Sequence, residues 1–398
     1  MKKQIVTILI GLTIVVGVQD FYTKKNKQKV AKPSQYVILI SIDGLNWDYI
    51  KNNTTNHLDS IMKNGVSTKK LTTSFPTLIS PNNYAIATGL NPKNNGITAD
   101  DFYNKKIKKY FKSNKYDSRF YMGEPIWVTA ESQHIKTGSI SWIGSNIKIK
   151  GYKSSYYKSE EPYNKATNSI IKWLEKPYIE RPKLIIWNIN NIYKTSEKHK
   201  SNSSEIKKSI TNLDNTIGNF IKQINTLSIK DSVNIIITSG CSATNNNNKN
   251  IIYLNKYINK HQIDTILGNN PFLSFYVKNN YKDSVKNQLK KIKNITIWDK
   301  NEFKTQFKIK NGTRIADITI LADSNIYLCK TNYDTINKNS CGYNNTFGVF
   351  YAIGPAFKKN YKTNSIYNTD IYNLITTILK VKPANNDGDE KRILNILK

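Results

Sequence analysis

At 398 residues the chain is long enough for one sizeable α/β domain with inserted lobes. Its formal charge of +32 raises the question of a nucleic-acid partner, because clustered basic side chains neutralise phosphates and release counterions. The distribution argues against that class: there are only four arginines (Arg119, Arg181, Arg314, Arg392), and lysine is spread through every segment beside abundant Asn and Ile. Lys, Asn and Ile share A/T-rich codons, so composition drift accounts for the charge without selection for a polyanion.

The chain opens with MKK followed by the apolar run Ile5–Val18, the layout of an export signal. Fourteen residues fall short of the ~20 that cross a bilayer as a helix, so both cleavage and retention as an N-terminal membrane anchor stay open. The polar, Lys-rich run Tyr22–Gln35 then reads as a tether, which places a single folded domain at 36–398 outside the cytoplasm, periplasmic or extracellular.

YVILISI (Tyr36–Ile42), KLIIWNI (Lys183–Ile189) and VNIIITS (Val233–Ser239) are continuous apolar runs, as expected of strands buried on both faces of a mostly parallel sheet covered by helices. Loops at the C-terminal ends of such strands converge on one crevice. Between Asn202 and Ile224, Ile206, Ile210, Leu213, Ile217, Phe220 and Ile224 recur at helical spacing and predict a core-packing helix. Asn245–Asn248 reads as a flexible surface loop. The span of about 263–331 reads as an inserted lobe, with LSFYV and ADITILA as strands.

Four blocks occur in a telling order: SIDG (Ser41–Gly44), ISPNNYAIATGLNPKNNGI (Ile79–Ile97), GEPIWVTAESQHIKTGSISWIGS (Gly123–Ser145), and CGYNN with IGPAFK (Cys341–Asn345, Ile353–Lys358). Together they resemble the nucleotide pyrophosphatase/phosphodiesterase family of the alkaline phosphatase superfamily, from about Tyr36 almost to the C-terminus. The resemblance implies an alkaline-phosphatase-like α/β fold and a site in which two divalent metals, usually zinc, clamp the attacking and leaving oxygens of a phosphoryl displacement.

Placed in register, that site is degraded. The nucleophile falls on Ile79, whose aliphatic side chain has no lone pair with which to attack phosphorus or bind a metal. Of the family's metal ligands only Asp43 is retained; the others fall on Tyr193, Glu197, Gly240, Cys241 and Cys341. The loop Asn that steadies a phosphate oxygen is matched by Asn82, and the aromatics that sandwich the base fall on Ser80 and Asn188. A shifted register would bring Asn190, Asn191, Thr195 or His199 into play. None of the four histidines, His57, His134, His199 and His261, lies where the family places a ligand. One carboxylate does not hold a zinc ion, so the resemblance implies that the zinc pair is lost and no cofactor is expected.

Two of the three cysteines, Cys241 and Cys341, replace ligands of the same metal pair, so the resemblance places them near each other. Two readings stay open: a disulfide that closes the emptied site, or small buried residues that fill space. A makeshift metal site from Asp43, Glu197, Cys241 and Cys341 would lack imidazoles and supporting partners. Three functions follow as expectations. The first is a pseudoenzyme retained as an exported binding or structural module for an unidentified protein or surface partner. The second is an active metal-dependent phosphodiesterase with displaced ligands, using Ser80 or Thr77 as substitute nucleophile. The third is a Lys-rich polyanion-binding surface protein.

Overall fold

The computed structural model describes residues 34–51, 55–112, 117–245, 249–310, 312–334, 336, 339–343 and 347–398. The export segment and nearly all of the tether lie outside the described residues, as do Asn246–Asn248 and Asn344–Asn345. No helix among the described residues is long and apolar enough to cross a membrane.

Three strands, Tyr36–Ile42, Leu184–Ile189 and Val233–Thr238, form the centre of a nine-stranded sheet, with the first flanked by the other two and all three parallel. Thr137–Ile140 and Tyr156–Lys158 extend it in parallel on one side. On the other, Phe347–Ile353 runs antiparallel between Val233–Thr238 and Val66–Thr72, making the sheet mixed but mostly parallel.

The continuous apolar composition of the central strands follows from burial on both faces. Val37, Leu39, Leu184, Ile186 and Ile236 point into one core with helices Ile79–Thr88, Ile126–Ser132 and Asp370–Leu379. Their neighbours Ile38, Ile40, Ile42, Ile185, Trp187 and Ile237 point into a second core with helices Asn56–Asn64, Tyr163–Leu174 and Ser204–Thr226. Period-two alternation thus supplies each face with its own apolar set. The helix predicted from the Ile206–Ile224 stripe spans Ser204–Thr226, capped by Ser203, whose hydroxyl accepts the Ile206 N–H.

A separate four-stranded antiparallel sheet, ordered Ile263–Asn269, Phe272–Val277, Ile318–Ala322, Ile295–Asp299, carries its own apolar cluster with helix Lys282–Leu289. Helix Lys300–Gln306 leaves this lobe toward the main core, where Phe303 joins Phe272 and Trp298.

Candidate functional site

Backbone hydrogen bonds knit the ends of the three central strands into one platform. The Asp43 N–H donates to Ile189 O (2.8 Å), the Gly44 N–H to Cys241 O (3.0 Å) and the Tyr193 N–H to Asp43 O (3.1 Å). Gly44 sits at φ 84, and a side chain there would meet the Tyr193 backbone at 2.9 Å, so the turn that ends the first strand requires glycine.

Over this platform lies a cavity of about 530 Å³, walled by Asp43, Ile79, Asp100, Asn188, Tyr193 and Glu197 among others. Ile79 is the first residue of helix Ile79–Thr88, a stretch legible in the sequence only as a loop. Pro81 is tolerated in the first turn, where its missing N–H removes no helical bond, and Gly89 at φ 65 ends the helix with its N–H on Ala85 O. The Ser80 N–H donates to Asp100 Oδ1 (2.7 Å) at the opening of this helix.

Asp43 is 1 % exposed and fully engaged by amides: Asn83 Nδ2 donates to Oδ1 (2.9 Å) and Asn188 Nδ2 to Oδ2 (3.0 Å). Asn83 is itself fixed, because its Oδ1 accepts from the Ser41 hydroxyl (2.7 Å). Burial pushes the Asp43 carboxyl up to about 7; the two amide donors oppose the shift and the Asp100 charge adds to it. Burial likewise raises the Asp100 carboxyl, against the pull of the Ser80 hydrogen bonds. The Tyr193 phenol is driven well above its usual range by burial and then by the charge of Glu197.

A raised pKa in the folded state means that the fold favours the protonated carboxyl. The stability Asp43 contributes is therefore complete below about pH 4 and is lost as pH rises through about 7. Between about pH 4 and pH 8 the unfolding free energy of the native chain should fall relative to Asp43→Asn by on the order of 2 to 4 kcal/mol. Urea titrations of both proteins at the two pH values measure this, and parallel behaviour would refute it.

Several residues singled out from the sequence meet at this crevice: Asp43, Ile79, Ser80, Asn188, Asn190, Tyr193 and Glu197 all line it. Gly240 lies against it, since a Cβ there would stand 2.7 Å from both Asp43 Oδ1 and Asn83 Oδ1. Cys241 and Cys341 are joined in a disulfide with a Cα–Cα distance of 5.9 Å. Both are buried, and Cys329 is buried as a free thiol.

Three expectations are corrected. Asn82 does not face the crevice: it is fully buried, its Nδ2 donates to Pro76 O and Leu78 O, and its Oδ1 accepts the Ser74 N–H and Asn368 Nδ2. Its helical position points it inward to hold the preceding turn, while its neighbour Asn83 reaches the site. Thr77 is turned away as well, with its hydroxyl donating to Tyr343 O (3.0 Å). His199, at the C-terminal cap of helix Asn191–Lys198, lies 3.7 Å from Glu205 and is not part of the crevice wall. Asn83 and Asp100 were missed by sequence reasoning; the adjacent Asn82–Asn83 pair offered a choice that only helical phase resolves.

These residues do not fit a zinc pair. Both oxygens of Asp43 accept from neutral amides, the sulfurs of Cys241 and Cys341 are bonded to each other and supply no thiolate, and Asn83 occupies the space into which a side chain at 240 would project. Among the described residues no group of three or more His, Cys, Asp or Glu side chains is placed to hold a metal ion.

The chain matches the family model of type I phosphodiesterase/nucleotide pyrophosphatase over residues 37–347. It is 28% identical over 379 residues to the human ectonucleotide pyrophosphatase/phosphodiesterase family member 5, covering 91% of this chain and 78% of that protein. It is 29% identical over 372 residues to the human bis(5'-adenosyl)-triphosphatase ENPP4, covering 88% and 80%. Among solved structures, an inactive variant of murine ectonucleotide pyrophosphatase/phosphodiesterase 5 in complex with AMP superposes with a TM-score of 0.87 at 27% identity, covering 92% of this chain and all of that one. A family match across most of the chain, on an α/β fold shared with these solved relatives, makes this protein a member of the type I phosphodiesterase/nucleotide pyrophosphatase family.

Proposed function

We propose that the chain is a non-catalytic member of its family, exported and retained as a binding or structural module. The observation that carries this reading is the state of Asp43: the one retained family ligand is clasped by Asn83 and Asn188 beside Ile79, a side chain that cannot act as nucleophile. The crevice also disfavours phosphate. Asp43, Asp100, Asp101 and Glu197 line it, and its lysine, Lys194, is paired with Glu160 (2.6 Å). A nucleotide phosphate entering without metal ions would meet carboxyl groups and a lysine already paired, with no further cation in the wall to balance it. Export is supported by the Cys241–Cys341 bond, which persists in oxidising compartments.

Metal analysis of the native protein and a chromogenic phosphodiester assay test the reading together. We expect zinc at trace level only and no turnover above background; turnover that a chelator abolishes would overturn the proposal. One observation favours the alternative of an enzyme with displaced ligands: Ser80 lines the cavity and hydrogen-bonds to Asp100. On that alternative Ser80→Ala and Asp43→Asn would each abolish activity, whereas a silent protein changes with neither.

A further inference from the structure

A second cavity, of about 350 Å³, lies where helix Lys300–Gln306 of the lobe meets the turn before helix Ile79–Thr88, apart from the crevice around Asp43. Its apolar wall is aromatic. Phe75 stacks on Phe307 with ring centroids 4.1 Å apart, Phe303 lies 4.6 Å from Phe307, and Trp298 closes the cluster behind them at 5.6 Å from each of those two rings. Phe75, Phe303 and Phe307 thus supply an aromatic wall against which an inserted ring can pack. The volume falls in the lower part of the range for small-ligand pockets, roughly 300 to 1,000 Å³.

The rim has the opposite chemistry. Lys93 and Lys308 both line this cavity, both are exposed, and neither forms an ion pair with a described residue. Lys308 stands at φ 52, in the left-handed region that glycine favours, directly after the helix. That turn lets the Ile309 N–H close on Lys304 O (2.9 Å) and puts Ile309 in the cavity wall while the Lys308 side chain stays at the surface. Lys304, Lys308 and Lys310 line an adjoining shallow trough that contains no carboxylate.

We propose that this cavity binds a small aromatic anion: a planar ring system seated among Phe75, Phe303 and Phe307, with one carboxylate, sulfonate or phosphate group on Lys93 and Lys308. An uncharged aromatic would make no use of the two ammonium groups on the rim, and a polyanion without a ring would leave the aromatic wall empty. The proposal does not depend on whether the Asp43 crevice is catalytically silent.

The probe is 8-anilino-1-naphthalenesulfonate, titrated into the native protein with fluorescence and calorimetric readouts. The expected result is saturable binding of one probe per chain. Binding should weaken about tenfold or more in Lys93→Gln/Lys308→Gln and on replacing the probe by uncharged N-phenyl-1-naphthylamine, the loss of roughly one charge contact near a protein surface. Lys207→Gln/Lys208→Gln, on the exposed face of the long helix, should leave the affinity unchanged. Equal affinity for the neutral probe, equal affinity in the Lys93/Lys308 variant, an equal fall in the Lys207/Lys208 control, or many weak unsaturable sites would each overturn the proposal. All four lysines are exposed, so the variants retain the fold and the outcome reads on the site.

Discussion

Replacing Cys241 and Cys341 together by alanine is expected to lower the unfolding free energy by about 4 to 5 kcal/mol. The bond closes a loop of 100 residues, and the entropy such a link removes from the unfolded chain grows with the logarithm of loop length, to about 4.7 kcal/mol at this size. It also ties the loop after strand Val233–Thr238 to the segment leading into strand Phe347–Ile353, two neighbours at the centre of the sheet whose pairing spans more than a hundred residues of sequence. Urea denaturation with and without reductant measures the effect. The native protein under reductant should fall to the level of the double variant, and a midpoint indifferent to both treatments would show that the link adds no stability.

Placing an acidic residue at Gly240 is expected to destabilise the protein. The new Cβ of Gly240→Asp would stand 2.7 Å from Asn83 Oδ1 and from Asp43 Oδ1, well inside any normal contact, and neither neighbour is free to move because each is held by hydrogen bonds. The added carboxylate would also be buried beside Asp43 with no cation to balance it. An unpaired buried charge costs about 3 to 5 kcal/mol, to which the steric clash adds. Urea denaturation reads the loss, and a variant as stable as the native chain would disprove the tight contact. Ile79→Thr, which returns a hydroxyl to the head of the helix, should leave phosphodiesterase activity at background because no metal-binding donor set surrounds it.

The sheet was legible because its strands are buried on two faces. A run such as VILISI carries its own evidence, and the six-residue apolar stripe from Ile206 to Ile224 repeats closely enough to define a helix face. The helix Ile79–Thr88 was not legible, because it is buried on all sides from Ser80 to Thr88 and mixes Ser, Pro, Asn and Thr with its apolar residues, leaving no amphipathic period to detect. Without the helical phase, Asn82 and Asn83 cannot be told apart, and Asn82, read as the loop Asn of the crevice, is instead the one turned inward. Asn188 could be placed on a strand end but its bond to Asp43 depends on the parallel register of Ser41 with Asn188, a pairing between segments about 145 residues apart. The position of Asp100 near Ser80 likewise has no local signal.

The way Gly240, Asn83 and Asp43 interlock bears on how easily this crevice could be rebuilt. Each position depends on the others: the absence of a side chain at 240 leaves room for the Asn83 amide, which donates to Asp43 Oδ1, while the adjacent Cys241 is bonded to Cys341. On the reading proposed above, several codons would have to change together before phosphoryl-transfer chemistry could arise here, since an acidic residue at 240 alone leaves a less stable molecule. Packing, more than any single missing group, resists that change.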